Sequence, residues 1–179
     1  MRQAMKRLQA RLAPSLVIII VVPMVLALAI PSLTHAAGHV AVGAAGPVAS
    51  SGMCEVAATP VAFGMYDPLL HQDGVTVGML HYRCIGTPKR LTIGLTAGES
   101  ASFRARKLGH GRNAIEYNLY LDAACTQIWG DGTGGSQTYI VNSPPSGNEV
   151  SIPVYGRLFG DRNASAGNYH DNVSVVVAY

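Results

Sequence analysis

The sequence contains histidine, aspartate and serine residues of the types that build hydrolytic active sites, but no recognised motif joins them. A triad could in principle be assembled from Asp67, Asp171, a serine and one of four histidines, His71, His81, His110 or His170. A nucleophile elbow would need a Gly-x-Ser-x-Gly segment, and the sequence has none. A zinc site is disfavoured because no Cys-x-x-Cys pair exists and the six histidines are scattered. We therefore predict that the protein is not an enzyme and uses no metal or cofactor.

One basic cluster could bind an anionic ligand. It consists of Arg104, Arg106, Lys107 and Arg112. Guanidinium groups bind carboxylates and phosphates through paired N–H donors, so this loop is a candidate site for an anionic glycan or a phosphate. A solvated loop without a ligand is the alternative, and it is the more common situation for such a cluster.

Two neighbouring features have both a structural and a functional interpretation. The Gly-Asp-Gly-Thr-Gly-Gly segment at 130–135 is similar to phosphate and calcium loops, but it lacks the Lys-Ser/Thr ending of a P-loop and the spaced acids of an EF-hand. A turn is the favoured interpretation. Trp129 could be a core aromatic or a platform that stacks on a sugar, and the core is favoured.

The first 36 residues have the composition of a secretory signal peptide. Four basic residues and no acidic ones precede an apolar run at 16–30, and small residues follow it. We predict cleavage after Ala36, with Ala37 as the alternative position. An N-terminal membrane anchor is disfavoured because the apolar run is shorter than the roughly 20 residues of a spanning helix.

Removal of this segment changes the charge of the protein. The full chain has thirteen Lys and Arg residues and a formal net charge of +3, and residues 1–36 hold four of the basic residues. The mature chain would carry nine basic against ten acidic residues, a net charge of −1. Binding to nucleic acid depends on an excess of positive charge, so this net charge disfavours a nucleic-acid partner. The 143 residues that remain suit a single domain.

Three cysteines, Cys54, Cys84 and Cys125, belong to the exported chain. Disulfides are favoured in an oxidising compartment. One cysteine of three must stay outside an intramolecular pair, and spacing alone does not identify it.

The exported chain is predicted to consist of short β-strands separated by turn clusters. The predicted strands, with alternating apolar residues, lie at 75–84, 91–95, 115–121, 138–141 and 150–154. A further short apolar run lies at 59–63, and residues 97–113 are polar and glycine-bearing, which predicts a long loop. Helical spacing is absent over any three turns. An all-β sandwich or barrel is therefore predicted.

Both ends of the exported chain have apolar residues at a two-residue period. Val173, Val175, Val177 and Tyr179 fall on one face of a closing strand, and an uncovered apolar edge invites pairing with another chain. Residues 37–53 are small, apolar and uncharged, and Val40, Val42 and Ala44 could lie inwards along a strand edge. A disordered tail is the alternative for this segment.

Short segments along the exported chain form a distinctive combination. In chain order they are Cys-Glu-Val at 54–56, Phe-Gly-Met-Tyr-Asp at 63–67, Tyr-Asn-Leu-Tyr-Leu-Asp at 117–122, Trp-Gly-Asp-Gly at 129–132, Val-Tyr-Gly-Arg at 154–157 and Ala-Gly-Asn-Tyr-His-Asp at 166–171. Cys84 follows Cys54 by thirty residues, and the last five residues are Val-Val-Val-Ala-Tyr. Over residues 54–179 this combination resembles the spore coat protein U domain, a family that includes the Csu-type pilins of archaic chaperone–usher pili.

The resemblance implies an incomplete immunoglobulin-like sandwich that lacks its final strand. A periplasmic chaperone would lend a strand, and the N-terminal extension of the next subunit would replace it in the fibre. Val40, Val42 and Ala44 would then be donor residues, and the closing strand with Val173, Val175, Val177 and Tyr179 would border the acceptor groove. Assembly would be heterologous and open-ended.

The same resemblance implies a disulfide between Cys54 and Cys84 that joins the first strand to the second. Two features depart from the family pattern. Cys125 stands where no cysteine is expected, and it could be buried and free or could pair with another molecule. The donor candidate is rich in Ala and Gly, so it would bury less apolar area than a strong donor.

These inferences predict a signal peptide at 1–36, an extension at 37–53 and a pilin domain at 54–179. The predicted function is that of a structural subunit of a surface pilus that supports adhesion or biofilm formation. Its partners would be other pilin subunits, a periplasmic chaperone and an outer-membrane usher of a Gram-negative-type bacterium, with no nucleic acid and no stable membrane insertion. The alternatives are a tip or soluble adhesin, and a monomeric coat or envelope protein that residues 37–53 complete.

Overall fold

The computed structural model describes residues 52–70, 72–161 and 163–179. Over these residues the chain forms eight strands and one short 3-10 helix at Gly98–Ser100. The strands are β1 Met53–Ala58, β2 Gly74–Ile85, β3 Arg90–Leu95, β4 Arg106–His110, β5 Asn113–Tyr120, β6 Tyr139–Asn142, β7 Glu149–Leu158 and β8 Val175–Ala178. The prediction of an all-β protein is confirmed.

The strands form two antiparallel sheets. The larger sheet has the order β1-β2-β7-β5-β4, and the smaller has the order β6-β3-β8. Within the described chain the path crosses from the larger sheet to the smaller three times, between β2 and β3, between β5 and β6, and between β7 and β8. The closing strand therefore lies in a different sheet from the first strand.

The core consists of the inward-facing side chains of both sheets. On the larger sheet Leu80 of β2 lies opposite Ile152 of β7, and both are buried. On the smaller sheet Leu91, Ile93 and Leu95 of β3 are fully buried, as the alternation predicts. Each such side chain contributes about 1.5–3 kcal/mol when it is removed from water, so this alternation specifies which face of each strand is inside.

The apolar run at 59–63 does not form a strand; among its residues only Val61 is buried in the core. Thr59 binds both the N–H and the carbonyl of Met79, and the chain then passes over the inner face of β2. Val61 is buried above Gly78 and Gly156, where an added Cβ would lie 2.7 Å and 2.9 Å from the Val61 methyl groups. The absence of a side chain at these two glycines provides the space that Val61 occupies.

The prediction of a long loop at 97–113 is wrong. Residues 106–110 form β4, which pairs with β5 in a tight hairpin. Only two side chains of β4 are fully buried, Arg106 and Leu108. Because a charged residue occupies one of the inward positions, the segment lacks the apolar alternation by which a strand is recognised in a sequence.

Candidate functional site

The first and last strands each leave one sheet edge without a partner in the part of the chain that the structure describes. There β1 pairs only with β2, and β8 pairs only with β3. Each unpaired edge presents backbone N–H and C=O groups that can hydrogen-bond an added strand. The two edges belong to different sheets.

A cavity of about 570 Å³ lies beside β1 and extends to the last residue of the chain. Its lining consists of Met53, Cys54, Glu55, Val56, Ala57, His81, Tyr82, Arg83, Glu149 and Tyr179. Tyr179 directly follows β8, so the cavity joins the edge of β1 to the end of β8. We call this region the β1–β8 groove.

The inward-facing side chains at the β1–β8 groove are incompletely covered. Cys54, Val56 and Ala58 of β1 pack against the core but are only half-buried. On the closing segment Val173 and Val175 are fully buried, Val177 is half-buried, and Tyr179 is 55% exposed. Burial therefore decreases along the predicted apolar face towards the groove, and further apolar side chains could cover what remains exposed there.

The outer side of the groove carries charges of alternating sign. Glu55 of β1 lies opposite Arg83 of β2, which lies opposite Glu149 of β7. All three side chains are exposed. Surface charges of this kind on an edge strand oppose unspecific pairing with another sheet.

The groove also contains the one contact among the described residues that superficially suggests a hydrolytic site. His81 Nδ1 lies 2.8 Å from Ser151 Oγ and 3.6 Å from Glu149 Oε1. In a catalytic triad the hydroxyl and the carboxylate contact different ring nitrogens, whereas here both contact Nδ1. This arrangement is therefore not a triad.

The two aspartates considered for a hydrolytic site have other partners in the described chain. Asp67 accepts a hydrogen bond from the backbone N–H of Leu69, and Asp171 is buried among other partners. His71 lies outside the described residues. Over the described ranges no group of three His, Cys, Asp or Glu residues has metal-binding geometry.

The structure contains the Cys54–Cys84 disulfide, which confirms the expected pair. The two cysteines lie directly opposite each other in the register of β1 and β2, with an S–S distance of 2.10 Å. The bond fixes β1 to the larger sheet at the groove. Because the opposite edge of β1 is unpaired in the described chain, this link stabilises a strand that has only one neighbouring strand.

The segment that leads into β8 is held by a buried carboxylate. Asp171 accepts hydrogen bonds from Tyr117 Oη at 2.7 Å, from the N–H of Glu99 at 2.9 Å and from the N–H of Asn172 at 2.8 Å. Burial, and secondarily the neighbouring Asp171, raise the pKa of Tyr117 far above its usual value, so the phenol stays a donor.

Arg106 belongs to a second buried polar group, which corrects its predicted role in a ligand loop. Its guanidinium donates to Asn118 Oδ1 at 2.7 Å, to the Thr96 carbonyl at 2.8 Å and to the Trp129 carbonyl at 2.8 Å. It is fully buried, and burial lowers its pKa from the usual range. Its donors are bound inside the protein and are not available to a ligand.

The remaining basic residues of the predicted ligand loop are on the surface but do not converge with Arg106. Arg104 donates to the Gly134 carbonyl, and Lys107 and Arg112 are exposed on β4 and on the following turn. Anion binding by these three residues stays a prediction. No sequence pattern marked Arg106 as buried. The one available signal is that Arg106 lies two residues before Leu108, and residues two apart in a strand point to the same face.

Trp129 is a core residue, and the glycine-rich segment after it is a turn. The indole is fully buried and donates to the Ile93 carbonyl at 3.0 Å, so it cannot stack on a sugar. In the turn, Asp131 accepts hydrogen bonds from the N–H and hydroxyl of Thr133. The Asp131 carboxylate therefore forms hydrogen bonds within the turn itself.

Cys125 has no disulfide partner, and all three cysteines lie within the described chain. It is half-buried beside an apolar hollow of about 260 Å³ on the outer face of the larger sheet, lined also by Val75, Val77 and Tyr155. Burial raises the pKa of its thiol.

The predicted donor residues Val40, Val42 and Ala44, the signal peptide and its cleavage position lie outside the described residues. Within the described ranges there is no helix with the length and apolar character needed to cross a membrane.

Comparison with known proteins identifies the family. The Spore Coat Protein U domain profile matches residues 40–176. The chain belongs to the spore coat protein U domain family. The match begins before β1 and includes the positions of Val40, Val42 and Ala44.

A solved structure shows the fold of this spore coat U domain. One chain of the crystal structure of the CsuC–CsuE chaperone–tip adhesion subunit pre-assembly complex, from archaic chaperone–usher Csu pili of Acinetobacter baumannii, superposes with a TM-score of 0.51 at 21% sequence identity. The match covers 72% of this chain and 40% of that chain. No curated protein matches the sequence. The predicted immunoglobulin-like sandwich of the pilin type is confirmed as the fold class.

Proposed function

We propose that the protein is a non-enzymatic structural subunit of a surface pilus assembled by the chaperone–usher route. The observation that carries this proposal is the β1–β8 groove, where two sheet edges that are unpaired within the described residues flank half-buried apolar side chains. An extended strand placed there would hydrogen-bond to a sheet edge and would cover these side chains. Membership of the spore coat U family and the fold shared with the Csu complex support the same function.

The strand that fills the groove in the fibre is assigned to residues 37–53 of the next subunit. Val40, Val42 and Ala44 would face the half-buried residues Val56 and Val177. Since this donor segment is rich in Ala and Gly, it would bury less apolar area than a segment of larger residues, at about 25 cal/mol per Å². The groove would be filled by a periplasmic chaperone before assembly at an outer-membrane usher.

In this proposal the mature chain starts after Ala36 and passes through the periplasm to the fimbrium at the cell surface. Polymerisation would join unlike surfaces of successive subunits, so growth is open-ended. Support of adhesion and biofilm formation follows from the exposed fibre. No observation on the described residues favours a tip adhesin over this structural role.

The experiment compares four forms of the full chain, co-expressed with the cognate chaperone in the periplasm: wild type, a deletion of residues 37–50, Val177→Arg and Val176→Arg. Val177 faces the groove and is half-buried, whereas its neighbour Val176 is 46% exposed on the opposite face of β8. The neighbouring substitution is therefore a matched control with the same change of charge and size.

Size exclusion, SDS-resistant ladders and electron microscopy give the assembly state. We expect fibres from wild type and Val176→Arg, and only monomeric or chaperone-bound protein from the deletion and from Val177→Arg. If wild type and the deletion are equally stable monomers, the sandwich is complete without residues 37–50, and the protein is a soluble binding or coat protein instead of a pilin. Fibres from Val177→Arg would also contradict the assigned groove.

A further inference from the structure

The closing strand is attached to the rest of the protein mainly at its beginning. β8 has four residues and pairs with β3 alone within the described chain. The segment before it, residues 169–174, instead contacts three other elements. His170 exchanges two backbone hydrogen bonds with Gly109 of β4, at 2.7 Å and 3.1 Å.

Asp171 extends this attachment to the larger sheet and to the short helix. Its carboxylate accepts from the hydroxyl of Tyr117 on β5 and from the N–H of Glu99 in the 3-10 helix. The carboxylate also leaves no room for a side chain at Gly98, where an added Cβ would overlap it. One buried carboxylate therefore joins β5, the helix and the approach to β8.

Arg106 acts on the same region through Thr96. The N–H of Thr96 donates to the carbonyl of Ser174 at 2.9 Å, and the hydroxyl of Thr96 accepts from the N–H of Ser174 at 2.9 Å. Arg106 donates two hydrogen bonds to the carbonyl of Thr96, from Nε at 3.2 Å and from Nη2 at 2.8 Å. The residue immediately before β8 is thus fixed by Thr96, which is in turn fixed by a buried cation on β4.

We propose that Asp171 and Arg106 are positioning residues: they anchor the start of β8 to the larger sheet, so that β8 keeps its place while its other edge is open to an incoming strand. This inference rests on the proposed function of the groove. A four-residue strand with one partner is marginal by itself, because an edge strand gains hydrogen bonds on one side only. These buried hydrogen bonds attach β8 where the described chain provides no second neighbouring strand.

The test is hydrogen exchange, followed by mass spectrometry, on the exported full chain in its monomeric or chaperone-bound fraction. Three variants remove parts of the anchor: Arg106→Met, Tyr117→Phe and Thr96→Val. Tyr117→Phe and Thr96→Val nearly keep the size of the side chain and remove one hydroxyl each. They can therefore still test the inference if Arg106→Met fails to fold. The peptide that covers residues 170–178 is compared with one that covers β7.

Two control variants separate anchoring from general stability. Arg104→Met makes the same substitution two residues away, at an exposed arginine that donates to the Gly134 carbonyl. Leu108→Ala opens a cavity in the core on β4 without touching the polar ties. A purely structural weakening, as in Leu108→Ala, accelerates exchange in β7 and in residues 170–178 together.

For the anchor variants we expect exchange at 170–178 to be about tenfold faster, the size typical for loss of a buried hydrogen bond, with β7 much less affected. The inference is overturned if these variants behave like Arg104→Met, or if they accelerate both peptides equally, as Leu108→Ala does. A synthetic peptide of residues 37–50, added to chaperone-free monomeric wild type, tests the proposed function separately. Failure of wild type to bind it would reject the donor-strand function and would leave the exchange result to decide whether β8 is anchored.

Discussion

Tyr117 donates a 2.7 Å hydrogen bond to the carboxylate of Asp171, and this bond connects the two sheets of the sandwich by a polar link inside the core. Tyr117 belongs to β5 of the larger sheet, and Asp171 lies four residues before β8 of the smaller sheet. Because burial raises the pKa of Tyr117, the phenol remains protonated at neutral and moderately alkaline pH. The link is therefore insensitive to deprotonation of its donor at neutral pH.

The packing of Val61 on two glycines can be tested by a double-mutant cycle. Gly156→Ala or Gly78→Ala should lower the free energy of unfolding by about 1–3 kcal/mol, because the new Cβ overlaps the Val61 methyl groups. Combined with Val61→Ala, either substitution should cost less than the sum of the single effects. Urea unfolding gives the values. Gly109→Ala is the control, because a Cβ added at Gly109 would lie 3.9 Å from its nearest neighbour, the His170 carbonyl oxygen. An equal loss of stability in this control would contradict the steric explanation.

Removal of the disulfide should destabilise the domain. The Cys54→Ala, Cys84→Ala double variant opens a link between residues separated by 30 positions. The chain-entropy model then predicts a loss of about 3–4 kcal/mol, measured by urea unfolding without reductant. Cys125→Ala, which removes only the unpaired thiol, should change stability much less. A loss of similar size in Cys125→Ala would mean that Cys125 has a structural role beyond filling its half-buried position.

Trp129 should report on the core and not on ligands. It is the only tryptophan of the chain, and its side chain is fully buried. The native emission should therefore be blue-shifted and unchanged by added sugars, and it should shift to the red on unfolding. Trp129→Phe should lower stability by about 1–3 kcal/mol, because the Ile93 carbonyl loses its buried donor. A sugar-dependent change in emission would contradict this assignment.

Alkylation of Cys125 should need a higher pH than alkylation of a free thiol. Burial raises its pKa above the ordinary value of 9.0, and only the thiolate reacts. In the unfolded protein the thiol ionises first as pH rises, so this group favours the folded state below its unfolded pKa and loses that effect as pH passes the folded pKa. Iodoacetamide kinetics against pH, for the native protein and in urea with the disulfide intact, measure both profiles. The prediction would be refuted if Cys125 were alkylated at lower pH in the native protein than in the unfolded protein.

Strands with a regular apolar alternation were predictable because that signal is local. β2, β3, β5, β6 and β7 lie where the pattern placed them, although β7 continues to Leu158 past Gly156. β4 was missed because Arg106 takes an inward position that the pattern assigns to apolar residues. The apolar run around Val61 forms no strand, and only Val61 itself is buried, where it packs on Gly78 and Gly156 of the larger sheet.

The sequence alone determined the all-β class, the alternating core faces and, through its resemblance to the spore coat U family, the partnership of Cys54 with Cys84. The first two depend on a two-residue period along the chain, and the cysteine pair was implied by the resemblance and not by spacing. Only the tertiary structure decided that Arg106 is internal, that Trp129 is core, and that Asp171 meets Tyr117 across a separation of 54 residues. Contacts of that kind depend on how two sheets are stacked, and stacking is fixed by the summed packing of many side chains. No local pattern encodes it.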